Sequence, residues 1–402
     1  MSDKSTESAR IVSLDQFRGY TVLGMFLVNF VGSYAAIQAA APVLGHHHTY
    51  FSYADSIMPQ FFLAVGFGYR MTFLRRAAAS GFGAACRHAV KRNLGLILVG
   101  FVVHQLDGRY ESWSRLTDAG LSGVLTTAFQ RNFFQTLTHI GVTSLWIMPV
   151  IAARPAWRIG YAVASGVAFH LLSVYGYYGW VLKRPGIDGG PLGFLTWTIP
   201  MIAGTLAFDA MSPNSWVARP DQREGRGDAA SDHALSGRAT PSLGTPIGEL
   251  LRDGVFLMLL GYALSCLNLV TPPNSVSGAT SWTAYLNEPP FTPPSHAINI
   301  WTMSQRAGSV TYLTFGAGFA LAVFALFVLA CDRGPLRLGI FRTLGTNALV
   351  GYILHELVNR AVKPFVPKDS PLWFVLLGFG VSSAICYLFL RYLEKQRLFL
   401  KL

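Results

Sequence analysis

The sequence predicts an all-α transmembrane bundle of about ten helices, formed as a single domain over residues 1–402. Two observations support this fold class. Of the 402 residues, 51% are hydrophobic and only 13% are charged, whereas a soluble chain of this length would expose far more charge. The apolar residues also gather in long runs, and a helix needs about 20 mostly apolar residues to cross a bilayer.

Ten apolar segments are candidate spans. The second carries Arg70 and the third is short, so these two depart most from the pattern of a membrane helix. The segments are 19–37, 57–74, 93–107, 133–153, 157–178, 190–210, 253–271, 307–331, 343–361 and 371–391.

The distribution of basic residues orients these spans. With a cytoplasmic N-terminus, 23 of the 32 Lys and Arg residues fall on the cytoplasmic side. This bias follows the positive-inside rule and predicts that both termini are cytoplasmic. The net charge of +12 is then explained by basic cytoplasmic loops, so no nucleic-acid partner is expected. Residues 38–56 carry no Lys or Arg and are predicted to lie outside.

One internal segment interrupts the apolar pattern. Residues 212–246 are rich in Ser, Pro, Gly, Asp and Arg, a composition typical of a flexible linker. It separates six predicted spans from four and is expected on the cytoplasmic side.

Several polar residues occur at membrane depth, where they are energetically expensive. On the predicted topology Asn29, Asp55, His104, His139 and His355 lie at the outer level of the bundle. Each alone is compatible with a hydrogen bond between helices. Because they come from different spans, a shared aqueous cavity explains them better.

The stretch VLGHHHTYFSYADSIMP (43–59) places three consecutive histidines in the outer loop. A metal site, a polar loop tip and a catalytic group are the alternatives. Sequential neighbours cannot all bind one zinc ion tetrahedrally without strain, and the four cysteines show no CxxC spacing. No metal is therefore expected, and catalysis or substrate contact is favoured.

Several motifs resemble those of the membrane acyltransferases similar to heparan-α-glucosaminide N-acetyltransferase, including its bacterial relatives. They run in register over most of the chain. They are SLDQFRGYTVLGMFLVNF with Asn29, the histidine row followed by Ala54-Asp55 and MPQFFLAVGFGYR, PLGFLTWTIPMIAGTLA, INIWTMS (298–304), and GTNALVGYILHEL. The acyltransferases that O-acylate surface sugars share a similar opening but carry a catalytic histidine within the first span, where this chain has Asn29.

The resemblance implies a catalytic histidine in the outer loop. His47 matches best because an aromatic residue, Tyr50, follows three positions later, but His46 or His48 could be the match. The family's Trp and Gly in this loop are missing here, and its Arg in the fourth span is replaced by His139, so we expect the substrate pocket to differ from the lysosomal enzyme's.

Acetyl transfer from a thioester needs a base that works near neutral pH, which suits histidine. The imidazole can attack the thioester or deprotonate the acceptor, and the sequence favours neither route. Asn29 is an apt oxyanion donor, and Asp55 can orient a histidine.

The resemblance further implies acetyl-CoA as a cytoplasmic co-substrate and an amino sugar or glycan acceptor outside. The cations among five residues at the cytoplasmic face are candidates for holding the phosphates, although they can equally serve only to fix topology. The five are Asp15, Arg18, Arg75, Arg76 and Arg92. Candidate residues of the substrate cavity are His48, His139, Asn299, Trp301, Asn347, His355 and Glu356.

These features predict an integral protein of the bacterial inner membrane, able to form a homo-oligomer. A transporter or flippase for a small anionic or sugar-linked solute is the alternative from another functional class. A membrane scaffold is a third, and the clustered titratable groups make it the least attractive.

Overall fold

The computed structural model describes residues 11–104, 112–127, 133–183, 188–212, 244–271 and 281–400. Every regular element within these ranges is helical, as the sequence predicts, so the all-α fold is confirmed. Almost all of the predicted linker 212–246 lies outside the described residues.

The α-helices of the described ranges are numbered here in chain order. They are α1 Val12–Val31, α2 Ala35–Ala40, α3 Tyr53–Ser80, α4 Phe82–His104, α5 Trp113–Thr127, α6 Thr136–Ile147, α7 Pro155–Leu172, α8 Tyr178–Lys183, α9 Phe194–Met211, α10 Gly244–Val270, α11 Val310–Phe327, α12 Gly339–Thr346, α13 Ala348–Val362 and α14 Leu372–Lys395.

Five helical segments in the described ranges are long and apolar enough to cross a membrane. Two of them, Gly190–Met211 and Val310–Arg333, are mostly buried inside the bundle, so they form its centre. The other three turn large apolar side chains outward, which is typical of a lipid-facing surface. These three are Pro155–Lys183, Pro246–Val270 and Leu372–Lys395.

The remaining predicted spans are helical but differ in length from the prediction. Segment 133–153 forms only the 12-residue α6 and a 3₁₀ turn. At 1.5 Å per residue α6 extends about 18 Å, well short of the roughly 30 Å hydrocarbon core. Segment 343–361 breaks at Asn347, whose backbone leaves the helical region and whose side-chain amide donates to Leu398 O at 3.3 Å.

Helix α3 lies at the centre of the packing and contacts α1, α4, α9 and α11. Its closest approach is to α9, and it depends on two glycines. A Cβ at Gly66 would lie 2.0 Å from Met201 O, and one at Gly204 would lie 2.0 Å from Leu63 O. The two backbones can therefore touch only because both positions lack a side chain.

A buried charge cluster joins α3 to α7 and α9. Asp209 accepts from Arg70 Nε at 2.6 Å and also from the Arg158 guanidinium. Arg158 further donates to Thr205 Oγ1 at 2.6 Å, and both arginines are almost completely buried. The charge of Arg70, unexpected inside a span, is thus paired across helices, as a buried charge must be.

Substitution at the α3–α9 crossing should destabilise the bundle. We expect Gly204→Ala to cost about 1–3 kcal/mol, because the added methyl group forces the two backbones apart. The measurement is the thermal unfolding midpoint in detergent, followed by tryptophan fluorescence. Gly160→Ala is the matched control, since Gly160 lies within α7 with open space around its Cβ. It should be neutral or stabilising by about 0.5–1 kcal/mol; equal destabilisation by both changes would contradict the tight crossing.

Candidate functional site

The first turn of α3 is closed by a capping box. Ser52 is the N-cap, and its hydroxyl accepts from Asp55 N at 3.3 Å. Asp55 completes the capping box, because its Oδ2 accepts from Ser52 N at 3.1 Å. The Asp55 side chain is fully buried, and a carboxylate at a helix N-terminus is favoured by the helix dipole.

The same carboxylate holds the histidine loop. Asp55 Oδ1 lies 3.0 Å from His46 Nδ1, and Oδ2 accepts from His47 N at 3.3 Å. The contact with Nδ1 fixes the orientation of the imidazole of His46 and leaves Nε2 directed away from Asp55. Asp55 therefore orients a histidine, as the sequence predicts, and that histidine is His46.

His46 is tuned by its surroundings. Burial by itself lowers the pKa of His46, but the hydrogen bond and charge of Asp55, the charge of Asp188 and a hydrogen bond with Gln305 outweigh it and raise the pKa above its ordinary value. The side chain remains 38% accessible because it opens onto a cavity. His46 is thus a base that a molecule in the cavity can reach, and its Nδ1 is held by Asp55.

The other two histidines of the row face elsewhere. His47 stacks on Tyr50 with ring centroids 4.2 Å apart, and its Nε2 donates to Pro42 O at 2.7 Å. His48 is exposed. Neither lines the cavity onto which His46 opens. The tyrosine that made His47 the best match to the family's loop is therefore engaged in packing that histidine against the loop itself.

This cavity, termed here the outer cavity, has a volume of about 300 Å³. Apolar side chains of α1 and α3 form much of its wall, and polar side chains converge on it from five separate parts of the chain. The polar residues that matter for its chemistry are Asn29, His46, Asp188, Gln305, His355 and Glu356.

Asn29 of α1 and His355 of α13 meet across the outer cavity. Asn29 Nδ2 lies 3.1 Å from His355 Nε2, and His355 Nδ1 contacts Tyr352 O. With the amide donating, Nε2 is the acceptor and Nδ1 carries the proton that is donated to the carbonyl. Glu356 lies 3.9 Å from His355 and 3.7 Å from Arg360. Asn29 and His355, both predicted at the outer level, thus line one cavity with His46.

Asp188 and Gln305 also line the outer cavity, and the sequence analysis predicts neither of them. Gln305 Nε2 donates to Asp188 Oδ1 at 3.2 Å, and Gln305 also helps to raise the pKa of His46. Burial raises the pKa of Asp188 to about 7, against the opposing influence of His46 and Gln305. The one available signal was an acidic residue directly before the predicted sixth span, in the run IDGG.

A second cavity, termed here the inner cavity, has a volume of about 550 Å³ and carries three arginines, Arg18, Arg76 and Arg92. Asn347 also lines it. Asp15 pairs with Arg18 at 3.9 Å, while Asp15 and Arg75 lie outside its lining. Asn347, expected near the substrate, therefore belongs with the arginines.

The two cavities adjoin. Phe61, Thr136 and Tyr352 line both, so these three side chains form the partition between them. Along α3 the outer cavity starts near Asp55 and the inner cavity extends to Arg76, which is about 31 Å at the rise of an α-helix. The arginines therefore lie in one of the two adjoining cavities, and His46 lies in the other.

Four predicted cavity residues, His48 and three others, lie away from both cavities. His139 is buried between Phe134 and Trp197. Asn299 donates to Asn268 O and accepts from Trp301 N at 2.9 Å, so it shapes its own loop. Trp301 packs on His170 with centroids 4.1 Å apart.

Within the part of the chain that the structure describes, no group of three or more His, Cys, Asp or Glu side chains is arranged to hold a metal ion. In comparisons with known proteins, no family model matches the sequence, and no curated protein matches it.

Removal of the Asp55 carboxylate should be costly. Asp55→Ala leaves the Ser52 and His47 amides without their acceptor, and an unsatisfied buried donor costs about 1–3 kcal/mol. We expect a lower unfolding midpoint in detergent. The control is Asp253→Ala, because Asp253 is exposed and, among the residues that the structure describes, pairs with the neighbouring Arg252. Such an exposed pair contributes about 0–1 kcal/mol. Equal small shifts for the two variants would show that Asp55 does not organise this region.

Proposed function

We propose that the protein is a membrane acyltransferase that moves an acetyl group from cytoplasmic acetyl-CoA to an amino sugar or glycan acceptor on the other side. The observation that carries the proposal is the pair of adjoining cavities. One holds three arginines and the other holds a histidine oriented by a buried carboxylate. The motifs shared with heparan-α-glucosaminide N-acetyltransferase-like proteins support the same reaction.

The inner cavity suits the donor. Coenzyme A carries phosphate groups, and guanidinium groups bind phosphate oxygens by charged, often paired hydrogen bonds. Arg18 comes from α1, Arg76 from α3 and Arg92 from α4, so the positive charge surrounds one space from three directions. The thioester end would then point toward the partition at Tyr352.

The outer cavity suits the chemistry of transfer. In one route His46 removes a proton from the acceptor, which attacks the thioester carbonyl and releases coenzyme A thiolate. In the other, His46 attacks the thioester carbonyl, the C–S bond breaks to release coenzyme A thiolate, and the acetyl group then passes from the imidazole to the acceptor, which loses a proton. In both routes Asp55 stabilises the positive charge that develops on the imidazole.

Asn29 suits the role of oxyanion donor. Its amide nitrogen carries two hydrogens, and the contact with His355 uses one of them. The second is available for the carbonyl oxygen of the thioester as it gains negative charge. His355 holds the amide in place and so acts through Asn29.

The membrane arrangement is part of the proposal. Ten spans with both termini cytoplasmic would place the arginines on the side that holds acetyl-CoA and the histidine loop on the far side. Such a protein would reside in the bacterial inner membrane, with a homo-oligomer as a further possibility. Two placements support this arrangement. Arg18, Arg76 and Arg92, assigned to the cytoplasmic side from the distribution of basic residues, all line the inner cavity, and His46, assigned to the outside, lines the outer cavity.

A transporter for a small anionic or sugar-linked solute would also use two cavities separated by a thin partition. The His46–Asp55 pair favours the transferase, because transport does not need a base oriented at one nitrogen. Acetyl-CoA turnover by the purified protein separates the two functions.

The first test of the proposal compares neighbouring histidines. Purified protein is assayed with radiolabelled acetyl-CoA and a panel of amino sugars. We expect His46→Ala to lose about 10²- to 10⁴-fold in kcat, the range typical of a positioned acid–base group. His47→Ala, the matched control, should keep most of the activity because His47 faces Tyr50. A greater loss in His47→Ala would return the catalytic role to His47, and absence of acetyl transfer in the unmodified protein would favour the transporter.

The second test compares adjacent arginines. Arg76→Ala should raise the KM for acetyl-CoA about tenfold, since a hydrogen bond to a charged group is worth about 1.5–3 kcal/mol. The KM for the acceptor should not change. Arg75→Ala is the control, because Arg75 lies outside the inner cavity. Similar KM values for acetyl-CoA in the two variants would place the donor elsewhere.

A further inference from the structure

A third pocket lies beside the outer cavity, at the C-terminal end of α13. It has a volume of about 360 Å³ and is termed here the rim pocket. Asn29 and Glu356 line both this pocket and the outer cavity, so the two spaces are neighbours. The other residues of its wall are Asn359, Arg360, Lys363 and Pro364, and none of these four has a role in the proposed acyl transfer.

The polar side chains that the end of α13 adds to the rim pocket are hydrogen-bond donors. Arg360 carries a guanidinium group and Lys363 an ammonium group, and neither can accept a hydrogen bond. The side-chain oxygen of Asn359 already accepts from Ser382 Oγ of α14 at 2.9 Å, so Asn359 can offer a ligand its amide hydrogens. Such a set of donors suits an anion that carries several oxygen atoms.

Lys363 is held in place by the protein itself. Its Nζ donates to Asn29 O at 2.7 Å and lies 5.8 Å from the centroid of the Phe30 ring. An ammonium group has three hydrogens, so the contact with Asn29 leaves two of them for a ligand. A lysine that only anchors a helix in the membrane surface extends its charged end into water. The fixed position of Lys363 instead suits a binding site with preformed geometry.

The net charge of the rim pocket favours an anion with a single negative charge. Arg360 and Lys363 are three positions apart, so they lie on one face of the helix end and their charges repel. Glu356 lies 3.7 Å from Arg360 and offsets one of the two positive charges. Two positive side chains and one negative side chain leave a net charge of +1. A phosphodiester carries one negative charge and would neutralise it.

Exposed aromatic residues indicate that the rim pocket lies at the level of the lipid head groups. The pocket ends at the 3₁₀ turn Lys363–Phe365, and Phe365 is 77% exposed. Helix α14 starts nearby, and Trp373 in its first turn is 67% exposed. The loop packs on this end of α14, since a Cβ at Gly378 would lie 2.7 Å from Val366 Cγ2. Exposed aromatic side chains at the end of an apolar, outward-facing helix are typical of the membrane surface.

We propose that the rim pocket binds the phosphodiester group of a glycerophospholipid from the leaflet at this level. The phosphate oxygens accept from Lys363, Arg360 and Asn359, and the acyl chains extend into the bilayer. Basic pockets at the ends of membrane helices recognise lipid head groups by this chemistry. A lipid bound here touches the wall of the outer cavity, because Asn29 and Glu356 belong to both spaces. The inference does not depend on the proposed acyl transfer.

Three matched probes test the inference with the full-length protein in a neutral detergent, and native mass spectrometry measures their binding. Dihexanoyl phosphatidylglycerol is the lipid, dihexanoylglycerol has the chains without the phosphate, and glycerophosphoglycerol has the phosphodiester without the chains. We expect the lipid to bind about tenfold more tightly than either of the other two. Equal affinity for dihexanoylglycerol would show that the phosphate is not recognised, and equal affinity for glycerophosphoglycerol would make the ligand a free phosphodiester. Either result would overturn the inference.

A pair of lysine variants separates the pocket from the general charge of the surface. Lys363→Met should weaken the binding of phosphatidylglycerol about tenfold, because a charged hydrogen bond is lost while an unbranched side chain is kept. Lys368→Met is the matched control, since Lys368 is an exposed lysine of the same loop outside the rim pocket. It removes the same charge and should change the affinity less than about twofold. An equal loss in both variants would show that only surface charge attracts the lipid, and the site would be refuted.

A second variant makes the test independent of the contact between Lys363 and Asn29. Arg360→Gln keeps that contact and should also weaken the binding of phosphatidylglycerol about tenfold, with the affinity for dihexanoylglycerol unchanged. Unchanged affinity for phosphatidylglycerol in Arg360→Gln would contradict the inference, whether or not Lys363→Met folds.

Discussion

The candidate site depends on one buried carboxylate, Asp55. It closes the first turn of α3, anchors the loop that carries the histidine row, and orients His46. Its backbone is also held, because Tyr312 of α11 donates its hydroxyl to Asp55 O at 2.7 Å. A charge buried at this depth is tolerable only with such a complete set of donors, and the same donors bring the loop, α3 and α11 to one point.

Rigid support for this point comes from the helices beneath it. Helix α3 carries Asp55 at one end and contacts α9 along its length, and α9 begins just after the turn that presents Asp188. The glycines at the α3–α9 crossing fix the spacing of the two helices, and the Arg70–Asp209–Arg158 cluster fixes their far ends relative to α7. His46 and Asp188 are therefore positioned through the same pair of helices, which is what a site with fixed geometry needs.

The sequence predicts much of the fold but only part of the site. Hydrophobic runs predict helices because the length and the apolar composition of a run can be read from that segment alone. They do not predict the break at Asn347, which follows from a contact with the distant Leu398. Asn29 and His355 could be placed at one level because their positions along spans set their depth. His46, and neither of its neighbours, lines the outer cavity because of the way the loop turns around Asp55. Residue spacing does not reveal this turn. Asp188 and Gln305 lie 117 positions apart and meet only through tertiary packing.

The two cavities differ in the sign of their charge, and this difference gives the proposed reaction its direction. Arginines dominate the inner cavity, whereas carboxylates and histidines dominate the outer one. In the proposed reaction, an anionic donor would be attracted to the inner cavity and repelled by the outer one. The donor and the acceptor of the proposed reaction would meet at the partition formed by Phe61, Thr136 and Tyr352. An uncharged acetyl group is the one part of the donor that can pass from the positive to the negative side without an electrostatic cost. The charge pattern therefore favours transfer of that group alone, while coenzyme A stays where it binds.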